Sequence, residues 1–114
     1  MSKRDLKLLL QDIEECLQRI KEYTENYSFE DFANDRKTVD AVIRNFEIIG
    51  EASSNIETDF KTKNPQVGWR RMKDFRNRMI HDYTGVDYSI VWEVITKYLD
   101  ELEFQIDNLI KEIE

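Results

Sequence analysis

The sequence predicts an all-α protein, an antiparallel up-down helical bundle forming one domain over residues 1–114. Three observations point there. The 114 residues include only three glycines and one proline, so the chain has few places to turn sharply. Apolar residues recur every three or four positions through four long stretches, which is the period of one helix face. No strand-like alternation, internal repeat or low-complexity tract competes with that pattern. The length suits one core and is too short for two.

The first helix is expected to start at Ser2, with Asp5 three residues on as a capping-box partner. Its stripe is Leu6, Leu9, Ile13, Leu17, Ile20 and Tyr23, ending near Asn26. Ser28 to Asp31 repeats the cap pattern over Phe29 and Phe32, which predicts a brief helical turn. A second long helix is expected from about Asp35 to Phe60, with Val39, Val42, Phe46, Ile49, Ile56 and Phe60 inward. Gly50 lies inside it at a cost of about 1 kcal/mol against alanine. That suggests close approach of another backbone or of a ligand, or else nothing at all.

Asn64-Pro65 marks a break. A third helix follows from Gly68 or Trp69 to about His81, with Trp69, Met72, Phe75 and Met79 as its apolar positions. Thr84-Gly85-Val86 is the next break. Asp87 or Ser89 then caps a last helix whose stripe runs from Ile90 to Ile113. Three of the four helices would be about 24–26 residues long, or roughly 36–39 Å.

Apolar residues make up 40% and charged residues 36%, a composition of folded rather than disordered chains. No apolar run approaches the roughly 18 residues of a membrane span, and the N-terminus lacks a signal-peptide pattern. Cys16 is the single cysteine and has no internal partner, so a cytoplasmic location is expected. The net charge of −7 argues against indiscriminate nucleic-acid binding. Its distribution is uneven. Residues 64–83 carry five basic and two acidic groups, a net of +3, whereas residues 84–114 carry two and eight, a net of −6.

The basic segment holds the one histidine, in "RNRMIHDY", Arg76 to Tyr83. No pair of histidines, or of histidine and glutamate, at metal-binding spacing accompanies it, so no metal is expected. There is no glycine-rich phosphate loop either. Histidine can take and return protons near neutrality, and arginine presents a charged fork to phosphate oxygens. Such a pair suits cleavage of RNA through its own 2′-hydroxyl without a metal. Arginine would stabilise the phosphorane-like transition state, and a two-fold dimer would supply two histidines. The plainer alternative is that His81 sits at a helix C-terminus, where a cation is favoured. On a straight helix Arg76 and His81 lie about 140° apart, so they converge only if the helix ends near His81 or a second subunit contributes. Arg70, Arg71, Lys73 and Arg78 could contact phosphates or form a solvated face. Trp69 and Phe75 are expected in the core.

With those residues in place, the sequence resembles the HepT-like toxins of the HEPN superfamily. "RNRMIHDY" fits their R-x4-H-x-Y motif, with Arg76, His81 and Tyr83 at the three positions and Asn77 as the polar residue after the arginine. "DAVIRNFEIIGEA" from Asp40, "NPQVGWRRMKDFRN" and "GVDYSIVWEVI" resemble further blocks of that family in the same order. The resemblance implies a homodimeric bundle and a metal-independent endoribonuclease acting on tRNA or mRNA. Arg76 and His81 of both subunits would meet in an interface cleft, and no cofactor would be needed. It implies the toxin of a type VII-like toxin–antitoxin pair, silenced when an MntA-type nucleotidyltransferase antitoxin transfers AMP to Tyr83. Arg44, Asn45, Glu47 and Glu51 would border the cleft, with Arg44 on phosphate, Glu47 orienting Arg76 or His81, and Arg78 beside the RNA. Alternatively Arg44 and Glu47 are ordinary helix-surface neighbours. The competing reading of the whole chain is a non-catalytic helical adaptor that docks to a small nucleotidyltransferase.

Overall fold

A computed structural model describes residues 1–81 and 87–114, with residues 78–81 described by their backbone alone. Among the described residues there are seven α-helices and no strand: α1 (Lys3–Tyr23), α2 (Phe29–Ala33), α3 (Arg36–Ser54), α4 (Thr58–Lys63), α5 (Trp69–His81), α6 (Tyr88–Lys97) and α7 (Leu99–Ile113). The chain is an all-α helical bundle. α1, α3, α5 and α7 form its body, with α3 packed on both α1 and α5, and α7 on α1.

Local chemistry starts the helices where the sequence places their caps. Ser2 Oγ accepts the Asp5 amide at 3.0 Å. Ser28 and Asp31 form a reciprocal capping box on α2, at 3.1 and 3.0 Å. Asp87 caps α6 by accepting the Ser89 amide at 2.9 Å. α1 ends at Tyr23, and Asn26 follows in the left-handed region at φ 62°, which asparagine tolerates better than most residues.

Packing directions follow from contacts between helix ends. The N-terminal ammonium pairs with Glu57 just beyond α3, so α1 and α3 run antiparallel. Lys7 meets Glu114 at 3.3 Å, and Lys21 meets Asp100 at 2.8 Å, so α1 and α7 do too. Leu10, Ile13, Leu17, Ile20, Val42, Phe46, Ile49, Met72, Leu102 and Ile106 are fully buried between these helices. Cys16 is also buried, and burial pushes its thiol up to about 11. It packs rather than reacts.

The structure corrects the sequence reading at three places. The helix expected to reach Phe60 stops at Ser54. Ser53 and Ser54 turn their hydroxyls back onto the carbonyls of Gly50 and Glu51, at 3.2 and 2.8 Å, and such residues hold a helix weakly. Ile56 and Phe60 still face the core, so the apolar period ran on across the break. The last helix is likewise two, divided at Tyr98. α6 turns away to set Trp92 and Tyr88 against Phe32 of α2, with Phe32–Trp92 ring centroids 5.3 Å apart. On α1, Leu10 and Cys16 complete the buried face, whereas Leu6 and Leu9 are half-buried and Tyr23 is exposed. The observed 21-, 19- and 15-residue helices are thus shorter than the sequence suggests.

Candidate active site

α5 carries the basic segment, and its apolar face is anchored at both ends of its first two turns. Trp69 lies edge-on to Phe60 and donates its indole N–H to the Asn64 carbonyl at 2.9 Å. Phe75 packs edge-on against Phe46 of α3, with centroids 4.7 Å apart, and Met72 is fully buried beside it. Both aromatics are therefore used for packing.

Arg76 follows directly. Its base lies against Gly50 of α3, where the two helices approach so closely that no Cβ fits on Gly50. Its side chain is exposed, and it forms no ion pair among the described residues. Asn77 is exposed beside it. The α5 backbone stays helical through His81, so position 81 lies about 140° round the helix from Arg76. The side chains of Arg78 and His81 lie outside the described residues, as does Tyr83 entirely.

The second block divides between surface and interior. Arg44 is exposed, and its Nη1 lies 3.5 Å from Glu47 Oε2, an i,i+3 pair with Glu47 mostly covered. Glu47 pairs with Arg44 and not with Arg76. Asn45 is buried, at 6% exposure. It donates to the Ala41 carbonyl at 2.8 Å, and its Oδ1 has no partner among the described residues. Glu51 is exposed. Asn45 is a residue of the bundle interior, which a periodicity reading cannot show because its neighbours Phe46 and Ile49 already define a stripe.

A groove of about 670 Å³ runs along another face of α5, bounded by α6 and α7. Arg71 lies in it with its guanidinium 3.6 Å from the centroid of the Tyr98 ring. Asp74 and Glu101 share its rim with Arg70. The basic residues of α5 are therefore spread round the helix, one against α3, one on an aromatic ring, and the charge of this groove is mixed.

The family described as ribonuclease HepT-like matches residues 13–109. "Probable ribonuclease HepT" of Thermococcus cleftensis is 44% identical over 109 residues, spanning 96% of this chain and 99% of its own. An inferred RNase of Methanocaldococcus jannaschii is 40% identical over 114 residues, 100% of this chain and 94% of its own. An inferred RNase of Caldanaerobacter subterraneus is 39% identical over 106 residues, 93% and 91% respectively. No solved structure matches the chain significantly. The chain belongs to the HepT-like family.

Two further features bear on the site. Among the described residues no group of three or more His, Cys, Asp and Glu side chains is placed to hold a metal ion. No helix described is long and apolar enough to cross a membrane.

Proposed function

We propose that this chain is an endoribonuclease and the toxin of a toxin–antitoxin pair. Membership of a family described as ribonuclease supports the class of activity. The observation that carries the site is Arg76: its backbone is wedged against α3 while its charged head is exposed and unpaired among the described residues. A fixed base with an exposed guanidinium suits an anion that arrives from solvent.

Catalysis follows from residue types. His81 of one protomer accepts the proton of the RNA 2′-hydroxyl, the 2′-oxygen attacks the adjacent phosphorus, the bond from phosphorus to the 5′-oxygen breaks, and the 5′-oxygen leaves with a proton given by His81 of the second protomer. Arg76 and Asn77 stabilise the charge on the non-bridging oxygens. The products are a 2′,3′-cyclic phosphate and a 5′-hydroxyl, and no step needs a metal. The helical run of α5 through position 81 supports a homodimer, because the wide angle between positions 76 and 81 disfavours a complete site within one protomer. Arg44 and Arg78 then contact the RNA backbone, and Glu47 steadies Arg44. AMP placed on Tyr83 by a nucleotidyltransferase antitoxin would add bulk and negative charge beside the motif and exclude RNA.

The test is digestion of total tRNA and a synthetic RNA in EDTA by protein shown by mass to be free of AMP. Arg76→Ala and His81→Ala run beside it at matched helicity and dimer content. Cleavage by the wild type alone, with cyclic-phosphate ends, is expected. Equal cleavage by His81→Ala would remove the motif from the chemistry, and no cleavage by the wild type would favour an adaptor.

A further inference from the structure

Gly50 stands in the C-terminal part of α3, facing α5. A Cβ built there collides with the Cβ of Arg76 and lies 2.9 Å from the Arg76 backbone nitrogen and 2.9 Å from the Met72 carbonyl oxygen. Carbon atoms pack at about 3.5–4.0 Å, so a methyl group would force α5 to retreat by roughly 1 Å. None of the three neighbours can rotate aside, because two are backbone atoms and the third is a Cβ. The two backbone atoms are also the donor and acceptor of the i→i−4 helical bond that holds Arg76 in α5.

Other contacts between these helices do not depend on a missing side chain. Phe46 and Phe75 meet through their rings. Glycine is the poorest helix former after proline, yet it occupies a point of α3 that touches the backbone of Arg76. Gly68, by contrast, would meet the far end of a side chain, the Leu102 Cδ2 at 3.1 Å, with the Arg71 Cβ and the Gln105 Oε1 at ordinary contact distances of 3.8 and 3.9 Å.

We infer that Gly50 is a positioning residue for the reaction: by lacking a Cβ it sets the distance between α3 and the turn of α5 that carries Arg76, and so the reach of the guanidinium. The inference rests on the proposed role of Arg76. It adds a residue that contacts no substrate and acts through backbone geometry alone.

The experiment compares steady-state cleavage of one synthetic RNA by the full chain as wild type, Gly50→Ala, Gly68→Ala and Arg76→Ala, with a melting curve for each. A misplacement of about 1 Å can cost on the order of a hundredfold in rate. The expected result for folded Gly50→Ala is therefore a fall in kcat of about tenfold or more with KM within about twofold, the signature of lost transition-state contact. Gly68→Ala is expected to keep wild-type kcat. Wild-type kcat in Gly50→Ala overturns the inference, and so does a loss that only tracks the fraction unfolded. Cleavage by Arg76→Ala at the wild-type rate fails the underlying assignment of Arg76, which is a separate outcome from any result at Gly50. Should Gly50→Ala fail to fold, all four proteins are assayed in trimethylamine N-oxide, which favours compact states, and the same two results at Gly50→Ala support or overturn the inference.

Discussion

The α3–α5 and α1–α7 contacts are both helix pairs of the same bundle, yet they are built from opposite materials. Where α3 meets α5, side-chain atoms are removed at Gly50 and stiff rings interlock at Phe46 and Phe75. Neither device titrates. Where α1 meets α7, ionisable groups face one another. Lys21 bridges Asp100 and Glu103, at 2.8 and 3.1 Å, and Lys7 reaches Glu114. Between them the Glu14 carboxyl faces that of Asp107, and a proton shared with Asp107, with partial burial and the nearby charge of Asp107, pushes the Glu14 carboxyl up to about 7. The buried Oδ1 of Asp107 has no partner among the described residues, and a proton on Glu14 gives that carboxylate a donor. The Gly50 wedge and the Phe46–Phe75 stack beside the candidate site thus hold by groups that do not titrate, whereas the contact remote from it relies on groups that do.

Removing the interlocked rings has the largest expected effect on stability. Phe46→Ala is expected to cost about 3–5 kcal/mol, read from urea denaturation. A cost near zero would mean that α3 and α5 are not held by this stack, and the contrast between the two contacts would fail.

The next largest effect belongs to Glu14. Its carboxyl is raised in the folded chain from an ordinary value of 4.5 to about 7. The folded state thus holds more protons than the unfolded state between those values, and stability falls as pH rises through that window. The stabilisation is complete below about pH 4.5 and gone above about pH 7. Glu14 is half-buried, so solvent screens part of the effect and about 1–2 kcal/mol remains. Glu14→Gln, which keeps a donor without a titrating proton, is expected to flatten that part of the stability curve and to be the more stable protein at pH 8. Identical curves for the two proteins would show that the pair shares no proton.

The smallest effect sharpens the comparison at a third place. Arg71 stacks on Tyr98 at the junction of α5, α6 and α7. Arg71→Ala is expected to cost about 0.5–1 kcal/mol, with no change in the pH profile of stability. A larger loss would make this junction, rather than the α3–α5 contact, the main anchor of α5.

Much of the fold is legible in the sequence because it is decided locally. Ser2, Ser28 and Asp87 are caps whatever the helices later touch. The stripes along α1, α3 and α5 follow from a period that needs no partner to be read. The motif's place at the end of α5 follows from the break at Asn64-Pro65 and the apolar spacing after it. The candidate site is only partly legible. The sequence marks Gly50 as a position where something comes close, but not that the neighbour is the backbone of Arg76. It groups Asn45 with Arg44 and Glu47, whereas packing buries the first and leaves Arg44 in solvent.

What the sequence determined by itself is the helical class, the caps, and the residues whose chemistry suits RNA cleavage, since these depend on residue type and near neighbours in the chain. Tertiary structure decided the end of α6 and, with the two serines that hold its last turn weakly, the end of α3. The apolar period continues across both, and the directions in which Ile56 and Trp92 find partners depart from it. It also decided the wedge at Gly50 and the facing carboxylates of Glu14 and Asp107. Each joins positions dozens of residues apart, and the distance between two such positions is set by packing, which no local pattern encodes.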